Sequence, residues 1–135
     1  MNILVIDGQG GKLGAQLIKS LKANFQDIQI NAVGTNAAAA AAMLKAGADQ
    51  AAAGENPVIV ACRKADVIIG PIGIVIADSL LGEITPRMAL AVGQADAVRI
   101  LLPINRCDNL VAGVPELSTA KILEDVVRKV RQILD

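Results

Sequence analysis

The stretch from residue 3 to residue 21 constrains the fold more than any other part of the sequence. It begins with an apolar run rich in β-branched residues, Ile3-Leu-Val-Ile6, which is typical of a buried strand. A glycine-rich turn follows at residues 8–14, and Leu13, Leu17, Ile18 and Leu21 then recur at helical spacing. The stretch therefore predicts a strand, a tight turn and a helix, with the glycines at the helix N-terminus.

That turn is a candidate anion-binding site. N–H groups of the first helical turn have no partner within the helix, and the helix dipole adds partial positive charge. Missing side chains also allow a phosphate to approach the backbone. We therefore expect cofactor-binding atoms from Gly8, Gln9, Gly10, Gly11, Lys12, Leu13 and Gly14.

Asp7 stands directly before this turn. Its carboxylate would repel a diphosphate unless a proton or Mg²⁺ lay between them. We therefore expect it to cap the turn rather than to bind the ligand.

Beyond the first helix, apolar runs alternate with helical patterns. Further strands are predicted near residues 28–34, 49–53, 66–70 and 97–104, with a short edge strand at 110–114. Asn36, Asn56 before Pro57, and Ser118 are predicted helix caps. Residues 74–81 fit either a short helix or extended structure.

The alternation predicts a three-layer, Rossmann-like α/β fold in one domain, residues 1–135. Its sheet should be mostly parallel, in the order 3-2-1-4-5, because a glycine turn after the first strand places a ligand between strands one and four. The loops after the strands then share one edge, where such proteins bind ligands. An alternative is that glycine and asparagine simply satisfy the turns.

Two groups of residues at that edge complete the candidate site. Loops after the second and fourth strands should add to the cofactor site, and loops after the third and fifth strands supply substrate or anion candidates. Arg106 is the strongest of these, because a guanidinium can bind a phosphate or carboxylate through two hydrogen bonds. The first group is Thr35, Asn36, Gly70, Pro71, Ile72 and Gly73; the second is Glu55, Asn56, Asn105, Arg106 and Cys107.

Composition removes several classes of function. Histidine, tryptophan and tyrosine are absent and Phe25 is the only aromatic residue, so the commonest general base and zinc ligand are missing. We expect no metal site. The 13 basic and 13 acidic side chains balance, which gives no reason to expect a nucleic-acid or membrane partner. Because the N-terminus has neither a signal peptide nor a spanning segment, we expect a cytoplasmic protein.

The glycine spacing, Gly8-x-x-Gly11-x-x-Gly14, resembles the turn of extended short-chain dehydrogenases and dihydrodipicolinate reductases. Residues 10–14, Gly-Gly-Lys-Leu-Gly, also resemble the turn of prephenate dehydrogenases. This resemblance implies NAD or NADP as the cofactor. An acid for the NAD ribose is missing after the second strand, which favours NADP and leaves Thr35 and Asn36 to contact the ligand.

A larger set of motifs is similar to a small bacterial family catalogued as a domain of unknown function. The motifs are residues 5–11 (Val-Ile-Asp-Gly-Gln-Gly-Gly), 34–36 (Gly-Thr-Asn), 54–56 (Gly-Glu-Asn), 70–73 (Gly-Pro-Ile-Gly), 82–86 (Gly-Glu-Ile-Thr-Pro) and 103–107 (Pro-Ile-Asn-Arg-Cys). The resemblance implies a stand-alone Rossmann-like protein and brings no established activity.

Two hypotheses about function follow. The first is a nucleotide-binding protein, whose enzymatic version is an NAD(P)-dependent oxidoreductase. The second is a non-enzymatic ligand sensor or homo-oligomer, with the apolar residues 74–81 at its interface.

Overall fold

The computed structural model describes residues 1–104 and 108–135. One parallel sheet forms its centre, with strands in the order 3-2-1-4-5. The predicted α/β fold, parallel sheet and strand order are therefore confirmed. The strands are β1 (Asn2–Asp7), β2 (Gln29–Gly34), β3 (Gln50–Ala53), β4 (Val67–Pro71) and β5 (Val98–Leu102).

Helices cover both faces of the sheet. They are α1 (Lys12–Asn24), α2 (Ala37–Lys45), α3 (Glu55–Cys62), α4 (Pro86–Gln94) and α5 (Thr119–Leu134), with a 3₁₀ turn at Ile72–Val75. None of the helices in the described part of the chain has the length and apolar character needed to cross a membrane.

Strand β1 shows why the sheet is covered on both sides. Ile3 and Val5 pack with residues of α1, α2 and α5, whereas Leu4 and Ile6 pack with residues of α3 and α4. All four side chains are at most 1% exposed. A strand segment buried on both faces needs an apolar residue at every position, and the four central residues of β1 meet this requirement.

The strand register brings three loops side by side. Asp7 pairs with Gly34, and Gly34 pairs with Ala53, so β1, β2 and β3 end at the same level. The loops that begin at Gly8, Thr35 and Gly54 therefore start from one edge of the sheet. This is the edge at which the sequence predicts a ligand.

Two local predictions are wrong. Helix α3 begins at Glu55 with Gly54 as its N-cap, so Asn56 lies in the first helical turn instead of capping it. Gly54 has a φ of 112°, which only glycine adopts readily, and its N–H donates to the carbonyl of Gly34 at 2.9 Å. Residues 110–114 form turns and irregular backbone rather than an edge strand.

Candidate functional site

The glycine turn joins β1 to α1 through a left-handed backbone. Gly11 is the N-cap of α1, with a φ of 75°, and its N–H donates to the carbonyl of Gly8 at 2.9 Å. A Cβ on Gly11 would lie 2.7 Å from the Cα of Ala39, whereas one on Gly10 would meet nothing within 4 Å. The absence of a side chain at Gly11 therefore allows the turn to pack against α2, whereas Gly10 faces open space.

The other turn residues divide in the same way. Gln9 and Lys12 are exposed, as is Gly10. Gly8, Leu13 and Gly14 are buried. The part of the turn that a ligand can reach consists of Gln9, Gly10 and Lys12.

Asp7 occupies the inner side of this turn. Its carboxylate accepts hydrogen bonds from the N–H of Gly8 at 2.8 Å and of Gly14 at 2.7 Å. Since Gly14 lies in the first turn of α1, Asp7 satisfies one of the N–H groups that the sequence analysis offers to a phosphate. Its structural role is therefore the expected one: it caps the turn.

Glu83 occupies the outer side of the turn. Its Oε1 accepts hydrogen bonds from the Gln9 N–H at 2.9 Å, from the Thr35 hydroxyl at 2.5 Å and from the Asn36 Nδ2 at 2.7 Å. Its Oε2 lies 3.2 Å from the same Gln9 nitrogen. Three donors from two loops thus converge on one carboxylate oxygen. We call these donors the anion site, because the group that they bind in the structure is a carboxylate.

Asn36 ties these loops together. Its Oδ1 accepts from the Ala39 N–H at 2.8 Å, so it caps α2 as predicted. Its Nδ2 donates to the carbonyl of Gln9 at 2.8 Å as well as to Glu83. The cap therefore also orients an amide toward the anion site.

The pKa values of the two carboxylates, Asp7 and Glu83, are shifted in opposite directions. Burial raises the pKa of Asp7, the two backbone N–H groups partly offset this, and the charge of Glu83 raises it further. Burial would also raise the pKa of Glu83, but the hydrogen bonds from Thr35, Gln9 and Asn36 outweigh it and lower that pKa. Glu83 is therefore ionised at neutral pH.

Glu83 belongs to a segment that we call the strap, residues 76–84. The strap has positive φ angles at Asp78 (67°), Leu80 (56°), Leu81 (58°) and Gly82 (86°). Leu80 and Ile84 are 2% and 1% exposed and anchor it in the core, whereas Leu81 is 94% exposed. Most of the apolar stretch 74–81 therefore either fills the core or forms turns.

Of the residues predicted to follow the fourth strand, Gly70 and Pro71 belong to β4 itself, and Ile72 and Gly73 lie in the 3₁₀ turn that follows it. Gly70, Pro71 and Gly73 are buried, and Ile72 is half-buried. A Cβ on Gly70 would lie 2.5 Å from the Ile6 carbonyl oxygen, and the Gly73 carbonyl accepts the Ser79 hydroxyl. Ile72 is thus the residue of this group that retains an accessible surface.

Glu55 is engaged with another helix. Its Oε1 accepts from the Thr85 hydroxyl at 2.7 Å, and its Oε2 lies 3.9 Å from an Arg87 nitrogen. Thr85 also accepts from the Met88 N–H, so one hydroxyl links the N-termini of α3 and α4. Asn56 is exposed beside them. Three predicted residues, Asn105, Arg106 and Cys107, fall outside the described residues.

A separate cavity of about 580 Å³ lies between β5, the loop after it and α5. Its walls are mostly apolar and include Ile72, Leu102, Val114 and Val126. Ile72 lies at the carboxyl end of β4, between the glycine turn and this cavity. Within residues 1–104 and 108–135, no group of His, Cys, Asp or Glu is arranged to hold a metal ion.

Comparison with protein families identifies the chain's relatives. A family model described as Domain of unknown function (DUF3842) matches residues 2–135. The chain belongs to this family. The whole-chain resemblance seen in the sequence motifs is therefore confirmed.

Other comparisons concern curated proteins and solved structures. No curated protein matches the chain. Among solved structures, it is similar to a dodecameric FMN-dependent Ubix-like decarboxylase from Escherichia coli O157:H7. The two share 16% sequence identity at a TM-score of 0.45, over 99% of this chain and 94% of that chain.

Glu83 is not among the site residues predicted from the sequence. It lies in the motif Gly82-Glu-Ile-Thr-Pro86, which carries part of the family resemblance. The available clue was a carboxylate just before a helix. Its partner Gln9 is 74 residues away, and no local pattern joins the two.

Proposed function

We propose that this protein binds a phosphate-bearing, nucleotide-like ligand at the carboxyl edge of the sheet. The observation that carries the proposal is the convergence of the Gln9 N–H, the Thr35 hydroxyl and the Asn36 amide on one carboxylate oxygen. Phosphate and carboxylate oxygens accept the same charge-assisted hydrogen bonds. Donors arranged for one therefore suit the other.

The position of these donors supports the same ligand class. They lie at the ends of β1 and β2, next to the switch point between β1 and β4 where open α/β sheets bind ligands. Lys12 is exposed at the first position of α1 and offers a cation to a phosphate. Gly10 leaves the space above the turn open.

An apolar part of the ligand would bind in the cavity beside β5. β1 and β5 are separated by β4, so two strand spacings, about 10 Å, divide the glycine turn from the cavity beside β5. A nucleotide spans that distance. A phosphate over Gly10 would leave its base to pass Ile72 toward the cavity, and NAD and NADP are the first dinucleotides to test.

The test is a titration of the purified protein with NAD, NADP, ATP and FMN, followed by melting temperature. A ligand at 100 times its Kd stabilises the folded state by about 2.7 kcal/mol. If no compound raises the melting temperature at millimolar concentration, the proposal fails.

A matched pair of glycine variants locates the site. Gly10→Val places its Cβ in open space above the turn and should abolish the ligand-induced stabilisation. Gly93→Val is the control, because a Cβ on Gly93 in α4 also meets nothing within 4 Å. Equal ligand affinity in both variants would place the ligand elsewhere.

A second candidate function is a cytoplasmic ligand sensor or homo-oligomer rather than an oxidoreductase. The observation that favours it is that the anion site is closed by a carboxylate on a strap, whose Leu81 side chain is 94% exposed. A sensor should change its strap or its oligomeric state on binding, without turnover. Ligand-dependent hydride transfer would favour the oxidoreductase instead, and light scattering together with a hydride-transfer assay separates the two.

A further inference from the structure

We infer that Glu83 is a built-in competitor for the anion site and that a phosphate group of the ligand displaces it, releasing residues 81–83. This inference rests on the proposed function, since it concerns how the same site is regulated. The ligand class it names is a phosphate monoester or diphosphate.

Glu83 occupies all three hydrogen-bond donors of the anion site. The Gln9 N–H, the Thr35 hydroxyl and the Asn36 amide all point at Glu83 Oε1, at 2.5–2.9 Å. A phosphate cannot accept these hydrogen bonds while Glu83 holds them. Two anions on one set of donors would also repel each other. Ligand binding at the turn and docking of Glu83 are therefore mutually exclusive.

The strap has an unusual backbone conformation. Asp78, Leu80 and Leu81 all have φ between 56° and 67°, a left-handed range that non-glycine residues rarely adopt. Such strain persists only where surrounding contacts enforce it. Hydrogen bonds within the strap hold this backbone, such as the one from the Gly82 N–H to the Asp78 carbonyl at 3.1 Å, and the Glu83 side chain ties the segment to the sheet edge. Loss of the Glu83 contacts therefore removes one of the constraints on the strap.

The strap is anchored on both sides of Glu83. Leu80 and Ile84 are buried, and the Ile84 N–H donates to the Ser79 carbonyl at 3.2 Å. Between them, Leu81 is 94% exposed, and a Cβ on Gly82 would meet nothing within 4 Å. The N–H groups of Gly82 and Glu83 donate to the carbonyls of Asp78 and Leu80, each at 3.1 Å. Withdrawal of Glu83 by rotation of residues 81–83 therefore leaves the core contacts in place and breaks hydrogen bonds within the strap.

Competition between Glu83 and the ligand raises the apparent Kd of the ligand by a measurable factor. The apparent Kd equals the intrinsic Kd divided by the fraction of molecules whose site is open. If Glu83 occupies the site in about 90–99% of molecules, its removal tightens anion binding by about 10–100-fold. Affinity should therefore rise when a site residue is removed, which is the opposite of the usual result.

The experiment measures pyrophosphate binding by calorimetry in the wild type, Glu83→Ala, Glu83→Gln and Glu124→Ala. Glu124 is an exposed carboxylate on α5, so its variant controls for the change in net charge. We expect both Glu83 variants to bind pyrophosphate at least about tenfold more tightly than the wild type, and Glu124→Ala to match the wild type. The Gln variant keeps the side-chain volume, so it tests the inference even if the Ala variant is unfolded.

Three results would overturn the inference, and they differ in what they imply for the proposed function. Equal affinity in the wild type and the Glu83 variants removes the competition but keeps the anion site. Weaker affinity in the variants would mean that Glu83 supports the anion site instead of competing for it. Absence of binding by pyrophosphate and by the nucleotides in every variant removes the proposed function as well.

Limited proteolysis of the wild type gives an independent readout. Saturating pyrophosphate should increase cleavage between residues 80 and 83, because the displaced strap becomes accessible. Sodium chloride at equal ionic strength controls for salt. Protection of the strap by pyrophosphate would contradict displacement.

Discussion

The carboxylate of Glu83 lies 2.9 Å from the amide nitrogen of Gln9, although 74 residues separate the two in the chain. This contact connects the segment before α4 to the turn after β1. It also brings an acidic group to the end of β2. The residues that follow β2 in the chain, Thr35 and Asn36, are not acidic. The strap therefore covers part of the sheet edge at which the sequence predicts a ligand.

Removal of Glu83 should lower stability. Glu83→Ala loses charge-assisted hydrogen bonds from Gln9, Thr35 and Asn36, but water can replace some of them at this half-buried position. We expect a loss of about 1–2 kcal/mol in the free energy of unfolding, measured by urea denaturation at pH 7. Glu124→Ala should change it little. Equal stability of the Glu83 variant and the wild type would show that the contact is energetically neutral.

The contribution of Glu83 should depend on pH in a defined direction. Its folded pKa is below the ordinary value of 4.5, so its stabilising effect is present above pH 4.5 and is lost as the pH falls through the folded pKa. The difference in melting temperature between the wild type and Glu83→Gln should therefore shrink on acidification. A difference that grows toward low pH would contradict the lowered pKa.

Asp7 should show the opposite dependence. Burial raises its folded pKa above 3.8, so the folded state holds a proton that the unfolded state has released. Its contribution to stability is largest below pH 3.8 and falls as the pH rises through the raised pKa. Thermal denaturation of the wild type and Asp7→Asn between pH 3 and pH 8 should show the wild type losing relative stability over that rise. A gain would mean that its two N–H donors outweigh burial.

The parts of this fold that could be predicted depend on local pattern. β1 reads as a buried strand because each of its side chains from Ile3 to Ile6 is apolar, and α5 reads as a helix because its apolar residues recur at helical spacing. Asn36 and Ser118 could be identified as caps from the sequence. In the structure, the side chain of each accepts a hydrogen bond from the N–H three residues later. The strand order followed from the glycine turn at the end of β1.

The rest depends on contacts that no local pattern encodes. Glu83 reaches Gln9 only because left-handed residues turn the strap back over the sheet edge. Residues 110–114 have strand-like composition, but they form no ladder with β5. The start of α3 depends on a φ of 112° at Gly54, which the sequence permits and does not require.

The glycines of the turn should differ in their tolerance of substitution. Gly11→Ala places a Cβ 2.7 Å from the Cα of Ala39 at a φ of 75°, so we expect a loss of more than about 1 kcal/mol. Gly10→Ala should leave the free energy of unfolding nearly unchanged, because its Cβ meets nothing within 4 Å. Urea denaturation of the two variants tests this difference. Similar losses in both would show that the turn has a different backbone in solution.

Asn36 should contribute more than an ordinary helix cap. Asn36→Ala removes the cap of α2 and also two hydrogen bonds from Nδ2, to Gln9 and to Glu83. Ser118→Ala removes a cap of α5 that also accepts from the N–H three residues later, which should cost about 0.5–2 kcal/mol. We therefore expect the Asn36 variant to lose more stability than the Ser118 variant. A double-mutant cycle with Glu83→Ala measures the stability that Asn36 contributes through its hydrogen bond to Glu83. Residues in one hydrogen-bond network typically show a coupling energy of at least about 0.5 kcal/mol. Additive effects would mean that Asn36 stabilises α2 independently of the anion site.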